Sequence, residues 1–395
     1  MNTYSKNKDQ INCVQVVAGL HPSEGGITRT VVQLSDALAT RLDVSVSIYS
    51  QGLINQPTFP NENDRVKRVI SSSPSSLVLK TGLPFKKELF ASQPIATPTV
   101  IHANGIWSPV HYWSSLFSKR FNLPLISQIH GMLEPWAIEY KSFKKKLALA
   151  AYQRAALDSS SVLVATSFAE YENIRVLGFT KPIAIIPNGI NFPKSKVTAN
   201  SKENKSVKKM LFLSRINVKK GLLNLVTAWS IAKPNGWRLQ LVGPDEDNHL
   251  SEIYALAKKL GIENDIDYLG ELDGLEKEQV YLSADIFVLP TFSENFGVVV
   301  AEALSFGIPV ITTKGAPWSD LQKFSCGWWI DIGVPALAEA LSESTSLTNE
   351  KRIEMGKRGQ NYVLRYDWLK ISDQFFNLYQ WLLNQESKPD SVKLD

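Results

Sequence analysis

Residues 284–313, ADIFVLPTFSENFGVVVAEALSFGIPVITT, contain two short apolar runs on either side of a segment with helical spacing. The two runs predict buried strands, and the segment between them predicts a helix that begins near Gly297. Two strands joined by a helix form a parallel βαβ unit. Glu294 and Glu302 interrupt this unit, although unpaired carboxylates are among the groups least often buried. We therefore expect both glutamates to border a ligand-binding cleft.

Apolar runs alternate with helical segments through the rest of the chain as well. Such alternation is typical of βαβ units and predicts an α/β fold with mainly parallel sheets. The predicted strands are 12–18, 44–49, 68–71, 99–103, 125–128, 162–165, 183–186, 210–214, 238–242, 267–269, 286–290 and 310–313. Helical spacing predicts further helices at 28–40, 143–157 and 368–383.

The segment 191–208 interrupts this pattern, because Pro, Asn, Ser and Lys dominate it and apolar residues are sparse. Such a composition predicts a linker between domains. We therefore predict two tandem, Rossmann-like, doubly wound domains at 1–190 and 209–367, followed by a terminal helix. In domains of this type ligands bind beyond the carboxyl ends of the strands, so we expect a substrate cleft between the two domains.

Composition restricts the cellular setting of the protein. The two cysteines, Cys13 and Cys326, have neither metal-ligand nor redox spacing, which favours a reducing compartment such as the cytoplasm. The polar N-terminus lacks a signal-peptide pattern, and no run of about 18 apolar residues predicts a membrane span. Residues 1–190 carry 19 Lys and Arg against 12 Asp and Glu, so this half is expected to meet an anionic partner unless the lysines serve only solubility.

Several polar or flexible residues of the first half follow predicted strands. Gly25 and Gly26 open the first helix, so their backbone could approach an anionic ligand, and a plain tight turn is the alternative. Their spacing lacks the G-x-G-x-x-G pattern of dinucleotide-binding loops. His102 and His130 end two successive strand candidates, which places both towards the cleft edge, and His130 before Gly131 is the better candidate. No third ligand stands at metal-binding spacing, so we do not expect zinc.

In the second half, two cations and one carboxylate follow predicted strands. Arg215 ends the first strand, and Lys220 precedes Gly221 at a helix start. Together they could hold a diphosphate, Arg215 through its planar fork and Lys220 as a point charge; an ordinary charged loop is the alternative. Glu294 lies in the loop after strand 286–290 and could accept hydrogen bonds from ligand hydroxyls.

Glu302 lies within the predicted helix, where a carboxylate can chelate two vicinal hydroxyls such as those of a ribose. The exposed amides of Asn295, Phe296 and Gly297 add an anion site at the helix N-terminus. The alternatives are a first-turn helix charge for Glu294 and a solvated helix face for Glu302. The apolar neighbours of Glu302 disfavour the second of these.

Taken in order and at their spacing, several segments resemble retaining glycosyltransferases of family 4, which have the GT-B fold. Residues 293–313 resemble the E-x7-E element of that family, and further matches span most of the chain. They are the Gly25–Gly26 loop, HGMLEPWA (130–137), ATSFAEYENIRVLGF (165–179), IPNGI (186–190), LSRINVKKG (213–221), LVGP (241–244), YLGEL (268–272) and ADIFVLPTFSENFG (284–297). Each segment alone is weak, whereas the ordered set is highly specific.

The resemblance implies a nucleotide-diphosphate-sugar donor held mainly by the second domain. Glu302 would bind the ribose hydroxyls of this donor. Arg215 and Lys220 would bind its diphosphate. Glu294, together with the backbone of residues 295–297, would contact the donor sugar.

The resemblance also assigns roles to residues outside the E-x7-E element. His130 would lie near the anomeric carbon and polarise or hydrogen-bond the donor sugar. The Gly25–Gly26 loop would bound the phosphate and the acceptor side. Backbone groups of Gly270, Glu271 and Leu272 would meet the base.

In its chemistry, the resemblance implies sugar transfer on the front face of the donor, with retention of configuration. The leaving phosphate would accept the proton of the acceptor, while Arg215 and Lys220 offset its growing charge. No divalent metal and no cofactor are expected. Asp265-x-Asp267 resembles a D-x-D metal motif, but it leads into a predicted strand. A terminal helix at 368–385 would cross back to the first domain.

The implied partners are a nucleotide-sugar donor and a glycan or lipid-linked acceptor in cell-surface polysaccharide synthesis, such as O-antigen, capsule or exopolysaccharide. The basic segment 141–157 predicts a helix that could rest on an anionic membrane surface, at roughly 1 kcal/mol for each basic residue. A solvated charged face is the alternative. We therefore expect a cytoplasmic protein, peripheral at the inner face of the plasma membrane, without a nucleic-acid partner.

Two other functions are compatible with these residues. A sugar-nucleotide epimerase can have the same two-domain architecture, although the combination of Arg215, Lys220, Glu294 and Glu302 argues against it. A non-catalytic nucleotide-sugar-binding protein is the second alternative, and the presence of every expected polar position makes it less favoured.

Overall fold

The structure is a computed structural model, and it describes residues 10–60, 62–92, 97–139, 145, 147–193 and 207–395. The chain forms two compact units: Met1–Gly189 with Trp368–Asp395, and Ile190–Asp367. Most of the predicted linker, residues 194–206, lies outside the described residues, as does part of the predicted helix 143–157.

Most strands of the described residues are short, and five of the fourteen are buried along their whole length. In the first unit they are β1 Ile11–Val17, β2 Val44–Leu53, β3 Lys67–Ser73, β4 Thr99–Asn104, β5 Leu125–Gln128, β6 Val162–Ala165 and β7 Ile183–Ile185. In the second unit they are β8 Lys208–Leu213, β9 Trp237–Val242, β10 Ile266–Tyr268, β11 Ile286–Leu289, β12 Val310–Thr313 and β13 Gly327–Ile330. The last strand, β14 Val392–Lys393, returns to the first unit.

The helices of the described residues cover both faces of these sheets. In the first unit they are α1 Gly26–Leu38, α2 Ser76–Leu79, α3 Leu83–Ala91, α4 Pro109–Phe121, α5 Pro135–Glu139, a π-helical turn Leu149–Gln153, α6 Arg154–Asp158 and α7 Phe168–Val176. In the second unit they are α8 Leu222–Ala232, α9 His249–Leu260, α10 Gly274–Ser283, α11 Val298–Ser305, α12 Asp320–Lys323, α13 Val334–Ser346 and α14 Asn349–Val363. Helix α15, Trp368–Leu382, belongs to the first unit.

Both sheets have the strand order of doubly wound domains. The first is ordered β14-β7-β6-β5-β4-β1-β2-β3, with every pair parallel except β14 and β7. The second is ordered β10-β9-β8-β11-β12-β13 and is parallel throughout. In each sheet the direction of growth reverses once, between β1 and β4 and between β8 and β11. Ligands of such sheets bind at this reversal, beyond the carboxyl ends of the strands.

The predicted parallel α/β architecture is confirmed, and all twelve predicted strands are present with bounds shifted by a few residues. The sequence analysis missed β13 and β14. Strand β13, GWWI, is half-buried along its whole length at the end of the second sheet, so it lacks a buried apolar run. Strand β14 has only two residues in a polar tail and depends on pairing with β7.

Helix α15 packs against the core of the first unit through an apolar face. Phe375 and Tyr379 are buried, and the ring of Phe376 lies 3.6 Å below the guanidinium of Arg41. Arg41 also forms an ion pair with Asp373 at 2.8 Å. The last helix is therefore part of the core of the first unit, although it follows the whole second unit in sequence.

Candidate functional site

Three of the polar residues predicted in the second unit follow the two strands at the reversal point of its sheet. Arg215 and Lys220 follow β8, while Glu294 follows β11, and these two strands are adjacent and parallel. Lys220 Nζ donates to Glu294 Oε2 at 2.5 Å, and the two side chains are 6% and 18% exposed. The structure thus brings together two charged residues that are 74 positions apart in sequence.

A tight turn fixes Lys220 in this place. Residues Val218–Lys220 form a single 3-10 turn, and Gly221 follows with φ of 69°. A Cβ atom on Gly221 would collide with the carbonyl oxygen of Pro290, so only glycine allows this close approach to the end of β11. Phe292 N donates to the carbonyl oxygen of Lys219 at 2.9 Å, which joins the two loops directly.

Arg215 pairs with Glu246 and not with Glu294. Its side chain is 59% exposed, and its Nη1 donates to Glu246 Oε1 at 2.8 Å, while Asn217 Nδ2 donates to Glu246 Oε2 at 2.7 Å. Burial alone would raise the pKa of Glu246, but these hydrogen bonds and the positive charge outweigh it, so the pKa of Glu246 is lowered. Each predicted diphosphate-binding cation therefore has a carboxylate partner, and Glu246 is a partner that the sequence analysis missed.

Glu302 lies on α11 and does not occupy a solvated helix face. Lys277 Nζ donates to its Oε1 at 2.9 Å, and the hydroxyl of Tyr281 donates to its Oε2 at 2.8 Å. Both partners come from α10, and the Glu302 side chain is 21% exposed. Burial and the carboxylate raise the pKa of Tyr281 well above its ordinary value, so its proton stays on the hydroxyl. Lys277 Nζ lies 2.9 Å from both carboxylate oxygens, so a ligand hydroxyl would share the Glu302 carboxylate with Lys277 and Tyr281.

Phe296 supports the loop that carries Glu294. The Phe296 ring is 5% exposed and packs against Trp318 and Tyr366, with centroid distances of 5.4 and 5.3 Å. Its carbonyl oxygen accepts a hydrogen bond from Trp318 Nε1 at 2.6 Å. The Phe296 side chain therefore fixes this loop to the core. In the sequence it stands between Asn295 and Gly297, and Gly297 is the N-cap of α11.

The remaining predicted residues of the second unit follow β10. Gly270 has φ of 77°, and its carbonyl oxygen accepts from Gly243 N at 2.8 Å. Glu271 is exposed, and Leu272 packs at the edge of the apolar core. A role of this loop in binding the base stays a prediction.

The D-x-D pair has structural partners. Asp265 accepts from the indole of Trp229 at 3.2 Å, and Asp267 forms an ion pair with Arg238. Across the described part of the chain, no group of three His, Cys, Asp or Glu side chains is arranged to hold a metal ion.

In the first unit, His130 lies two residues after the end of β5 and has φ of 55°. Its Nε2–H donates to Asn104 Oδ1 at 3.1 Å, which leaves Nδ1 as the acceptor nitrogen. Burial lowers the pKa of His130 to about 3, so the ring is neutral at pH 7. Asn104 in turn donates to Gln15 Oε1 at 2.8 Å. The neutral ring suits hydrogen-bond acceptance from a sugar hydroxyl rather than charge stabilisation.

The prediction that His102 points to the edge of the sheet is wrong. Strand β4 continues to Asn104, and the His102 ring is fully buried beneath α15. Its Nδ1 accepts from the hydroxyl of Tyr379 at 2.9 Å, and its Nε2–H donates to Gln128 Oε1 at 3.2 Å. His102 is therefore a core histidine: it lies within the strand, two residues before its end at Asn104, and α15 covers it.

Glu170, which the sequence analysis did not single out, fixes the turn at His130. Its Oε1 accepts from Gly131 N at 2.5 Å, and its Oε2 accepts from the backbone N and hydroxyl of Thr166 at 2.6 and 2.9 Å. Burial raises the pKa of Glu170 to about 7. No local pattern predicts the bond between Glu170 and Gly131, because the two residues are 39 positions apart in sequence.

Gly25 and Gly26 form the N-terminus of α1, beyond the end of β1. Gly25 is the N-cap with φ of 82°, a conformation that favours glycine, and space around both residues is open. Both are exposed. They thus lie at the reversal point of the first sheet, where the prediction expects a ligand.

Three histidines with lowered pKa values make the first unit sensitive to acid. Burial lowers the pKa values of His102, His111 and His130 to about 3, 4 and 3, whereas the unfolded chain protonates histidine near pH 6.5. Because the unfolded state binds more protons below pH 6.5, the free energy of unfolding should fall as the pH drops from 6.5 to 4. Glu170 opposes this between pH 7 and 4.5, since its folded pKa is raised.

We expect these four groups to give a net uptake of about two protons on unfolding at pH 5, or roughly 3 kcal/mol per pH unit. Urea unfolding followed between pH 4.5 and 7.5 measures the slope. Replacing His102 with asparagine should remove about one proton of uptake. A wild-type slope close to zero near pH 5 would contradict the assignment of neutral buried histidines.

Two family models match the sequence. The family described as Glycosyltransferase Family 4 matches residues 24–192, and the family described as Glycosyl transferases group 1 matches residues 194–362. The chain belongs to glycosyltransferase family 4. The resemblance in the sequence analysis is thereby confirmed.

Three glycosyltransferases align with this chain at 24–26% identity. The D-inositol 3-phosphate glycosyltransferase of Segniliparus rotundus is 26% identical over 68% of this chain and 65% of its own length. The enzyme of the same name from Corynebacterium glutamicum is 24% identical over 92% of this chain and 93% of its own. The GDP-mannose:cellobiosyl-diphosphopolyprenol alpha-mannosyltransferase of Komagataeibacter xylinus is 26% identical over 56% of this chain and 57% of its own.

Solved structures show the same fold. The sucrose-phosphate synthase of Thermosynechococcus elongatus has a TM-score of 0.74 at 20% identity and covers 95% of this chain and 100% of its own. Anabaena HepE in complex with UDP-glucose has a TM-score of 0.67 at 17% identity and covers 94% and 99%. This family 4 glycosyltransferase therefore has the predicted GT-B fold of two parallel α/β domains. None of its described helices has the length and apolar character needed to cross a membrane.

Proposed function

We propose that this family 4 glycosyltransferase moves a sugar, with retention of configuration, from a nucleotide-diphosphate-sugar donor to a glycan or lipid-linked acceptor. One observation carries the proposal: the ion pair of Lys220 and Glu294 stands at the reversal point of the second sheet. Glu302, eight residues further along the same βαβ unit, would bind the ribose hydroxyls while Lys277 and Tyr281 orient its carboxylate. Ribose, diphosphate and sugar can thus be met by one short segment and the loop after β8.

In the proposed reaction an acceptor hydroxyl oxygen bonds to the anomeric carbon as the bond from that carbon to the phosphate oxygen breaks. The electron pair leaves with the diphosphate, which takes up the proton of the acceptor. Lys220 and Arg215 would offset the charge that develops on the leaving oxygen. Each cation uses one N–H group in its bond to a carboxylate. The other N–H groups of Lys220 and Arg215 could therefore donate to the phosphates while both ion pairs stay intact. His130 would accept a hydrogen bond from a substrate hydroxyl.

The relatives support the acceptor class. The names of the first relatives specify inositol phosphate, and that of the Komagataeibacter enzyme specifies a sugar on a polyprenol diphosphate. We propose a role in cell-surface polysaccharide synthesis, which uses sugars on lipid carriers. Another solved neighbour is described as a glycosyltransferase involved in lipopolysaccharide biosynthesis.

A donor screen tests the proposal. The purified protein is incubated with UDP-, GDP- and dTDP-sugars, and the released nucleoside diphosphate and the sugar are identified by chromatography. We expect slow hydrolysis of one donor and faster release once a glycoside acceptor is added. An isomerised nucleotide sugar would instead favour an epimerase, and binding without turnover of any donor would favour a non-catalytic protein.

We propose further that transfer needs neither a divalent metal nor an organic cofactor, because Lys220 and Arg215 supply the positive charge at the diphosphate. Dialysis against excess EDTA should leave kcat unchanged. Loss of activity that Mg²⁺ or Mn²⁺ restores would contradict this expectation.

The proposed setting is the cytoplasmic face of the plasma membrane. Residues 141–144 and 146 of the basic segment lie outside the described residues. Two exposed apolar side chains flank them, Trp136 at 42% and Leu147 at 61%. Arg154 serves the fold instead, since it donates to the carbonyl oxygens of Leu177 and Gly178. The membrane contact is therefore proposed for the lysines and the two apolar residues, without Arg154.

Replacing Lys141, Lys144 and Lys146 together with glutamine should weaken binding to vesicles of phosphatidylcholine and phosphatidylglycerol tenfold or more, at roughly 1 kcal/mol per charge. Cosedimentation measures it. The matched control replaces Lys258, Lys259 and Lys357, three exposed lysines of the second unit, with glutamine. Equal binding of wild type and the first variant would exclude this surface.

A further inference from the structure

Glu170 holds the backbone of the turn that carries His130. It lies on α7 and is only 2% exposed. Its Oε1 accepts from Gly131 N, and its Oε2 accepts from the backbone N and the hydroxyl of Thr166. Resting on the proposed transfer function, we propose that Glu170 is a positioning residue for this reaction. Its carboxylate holds the peptide between His130 and Gly131, and with it the imidazole, in the orientation that meets the substrate.

The turn at His130 leaves one N–H group for Glu170. Met132 N donates to the carbonyl oxygen of Ile129 at 3.3 Å, which closes the turn. The central residues have φ of 55° at His130 and 72° at Gly131, and positive φ at both positions is the pattern of a type I′ turn. The closing bond leaves the N–H of Gly131 unused inside the turn. Because this N–H belongs to the rigid peptide plane between the central residues, its bond to Glu170 fixes the orientation of that plane.

His130 is held in an uncommon backbone conformation from two sides. A left-handed φ is unfavourable for a residue other than glycine and persists only where surrounding bonds enforce it. The ring donates from Nε2 to Asn104 Oδ1 at 3.1 Å, and the peptide that follows donates to Glu170. Loss of the bond to Glu170 should therefore let the ring leave the orientation in which Nδ1 accepts from a substrate hydroxyl.

The contacts of Glu170 require a charged carboxylate. One oxygen faces the N–H of Gly131, and the other faces the N–H of Thr166. An ionised carboxylate only accepts hydrogen bonds, so it satisfies both groups. A protonated carboxyl or a glutamine amide carries a donor of its own, which competes with one of them. Protonation of Glu170 should therefore weaken its hold on the turn.

The surroundings of Glu170 place this protonation near neutral pH. Burial raises the pKa of Glu170 to about 7, although the bonds from Thr166 and Gly131 oppose the rise, and the like charge of Glu134 adds to it. His130 lies in the same turn and is neutral in this range, because burial lowers its pKa to about 3. A change of charge near pH 7 at this turn is thus expected from Glu170 and not from His130.

The elements around α7 add no described charge that faces Glu170. Strands β6 and β7, on which α7 packs, consist of apolar residues. On α7 itself, Glu172 is exposed. Arg175 donates to the carbonyl oxygens of Phe179 and Lys181. We therefore expect activity to rise through pH 7 as Glu170 loses its proton.

The pH dependence of kcat/KM tests the proposal on the full chain, with the nucleotide sugar that the donor screen identifies. For the wild type we expect a rise of about tenfold between about pH 5.5 and 8.5, centred near pH 7, since one charge-assisted hydrogen bond is gained. Glu170→Gln should show no such rise and should have a kcat about tenfold below that of the wild type at the alkaline end. Its Kd for UDP, measured by calorimetry, should be unchanged, which also reports that the fold is intact.

Thr166 offers a matched pair of variants that keep Glu170. Thr166→Val removes the hydroxyl bond to the charged carboxylate, so the pKa of Glu170 and the midpoint of the profile should move to higher pH. Thr166→Ser keeps a hydroxyl and should retain the wild-type midpoint. This pair keeps the test decisive even if Glu170→Gln is unstable.

NMR of ¹³C-labelled histidine follows the ring of His130 without any turnover, with its signal assigned by its absence in His130→Gln. The signal should shift with a midpoint near pH 7 in the wild type and stay constant in Glu170→Gln. A purely structural role of Glu170 would give no such transition at His130. The proposal is overturned by a flat wild-type profile, by a rise that persists in Glu170→Gln, or by equal midpoints for Thr166→Val and Thr166→Ser.

Donor hydrolysis and NMR together separate this inference from the proposed function. A wild type that hydrolyses a nucleotide sugar equally well at every pH, without a transition at His130, overturns the role of Glu170 alone. A wild type that hydrolyses no donor at any pH overturns the transfer function, whereas the hold of Glu170 on the His130 turn still stands or falls by the NMR transition.

Discussion

Replacing Glu294 with alanine should lower kcat for sugar transfer by about 10³-fold, while the Kd for the nucleoside diphosphate changes by less than about tenfold. The carboxylate lies at the reversal point of the second sheet and is proposed to contact the sugar, where charge develops in the transition state. The diphosphate and the ribose are met by other residues. Steady-state kinetics and calorimetry measure the two quantities.

The same variant also leaves Lys220 buried without its partner, and breaking a buried pair in this way destabilises a protein by about 3–5 kcal/mol. The double variant Lys220→Met with Glu294→Ala removes both charges and controls for this effect. We expect it to regain thermal stability relative to Glu294→Ala; its kcat stays low in any case, because Lys220 is itself proposed to bind the diphosphate, so this variant reports on stability alone. Turnover by Glu294→Ala at the wild-type rate would refute the assignment of the sugar contact.

Replacing Glu302 with alanine should weaken donor binding about 100-fold or more, because two charge-assisted hydrogen bonds at about 1.5–3 kcal/mol each would be lost. Nucleotides that lack the 2′ or 3′ hydroxyl provide the specific check. The wild type should bind each deoxy nucleotide more weakly, whereas Glu302→Ala should bind the parent and deoxy nucleotides alike. If Glu302→Ala still bound the deoxy nucleotides more weakly than the parent nucleotide, by the same factor as the wild type, Glu302 would not be the residue that binds the ribose.

Tyr281→Phe is the matched positioning variant for this test. It keeps the Glu302 carboxylate and its bond to Lys277 but removes one of the two groups that orient it. We expect an intermediate, several-fold loss of donor affinity, with kcat nearly unchanged. An unchanged Kd would show that Lys277 alone suffices to hold the carboxylate.

The sequence was informative wherever the physics is local. Strands such as IFVL at β11 are buried on both faces, so they appear as continuous apolar runs. Gly221 and Gly25 mark turns that need positive φ. Glu302 stands out because a carboxylate among apolar helix residues requires partners.

Partners brought by long-range packing could not be predicted. The hydroxyl of Tyr281 meets Glu302 from a different helix, and Glu170 holds the backbone of Gly131 from 39 positions away. His102 was placed at the sheet edge, whereas the length of β4 and the docking of α15 bury it beneath Tyr379. Spacing along the chain contains no signal for these contacts.

By itself, the sequence of this family 4 glycosyltransferase predicted twelve of the fourteen described strands, the parallel α/β class and the charged residues that follow strands β8 and β11. These follow from burial and periodicity, which act over a few residues. Only the tertiary structure decided the partners, because strand order sets β8 beside β11 and thereby pairs Lys220 with Glu294. The same ordering left Arg215 to Glu246, so two residues that look like equal cations in the sequence have different burial and different partners.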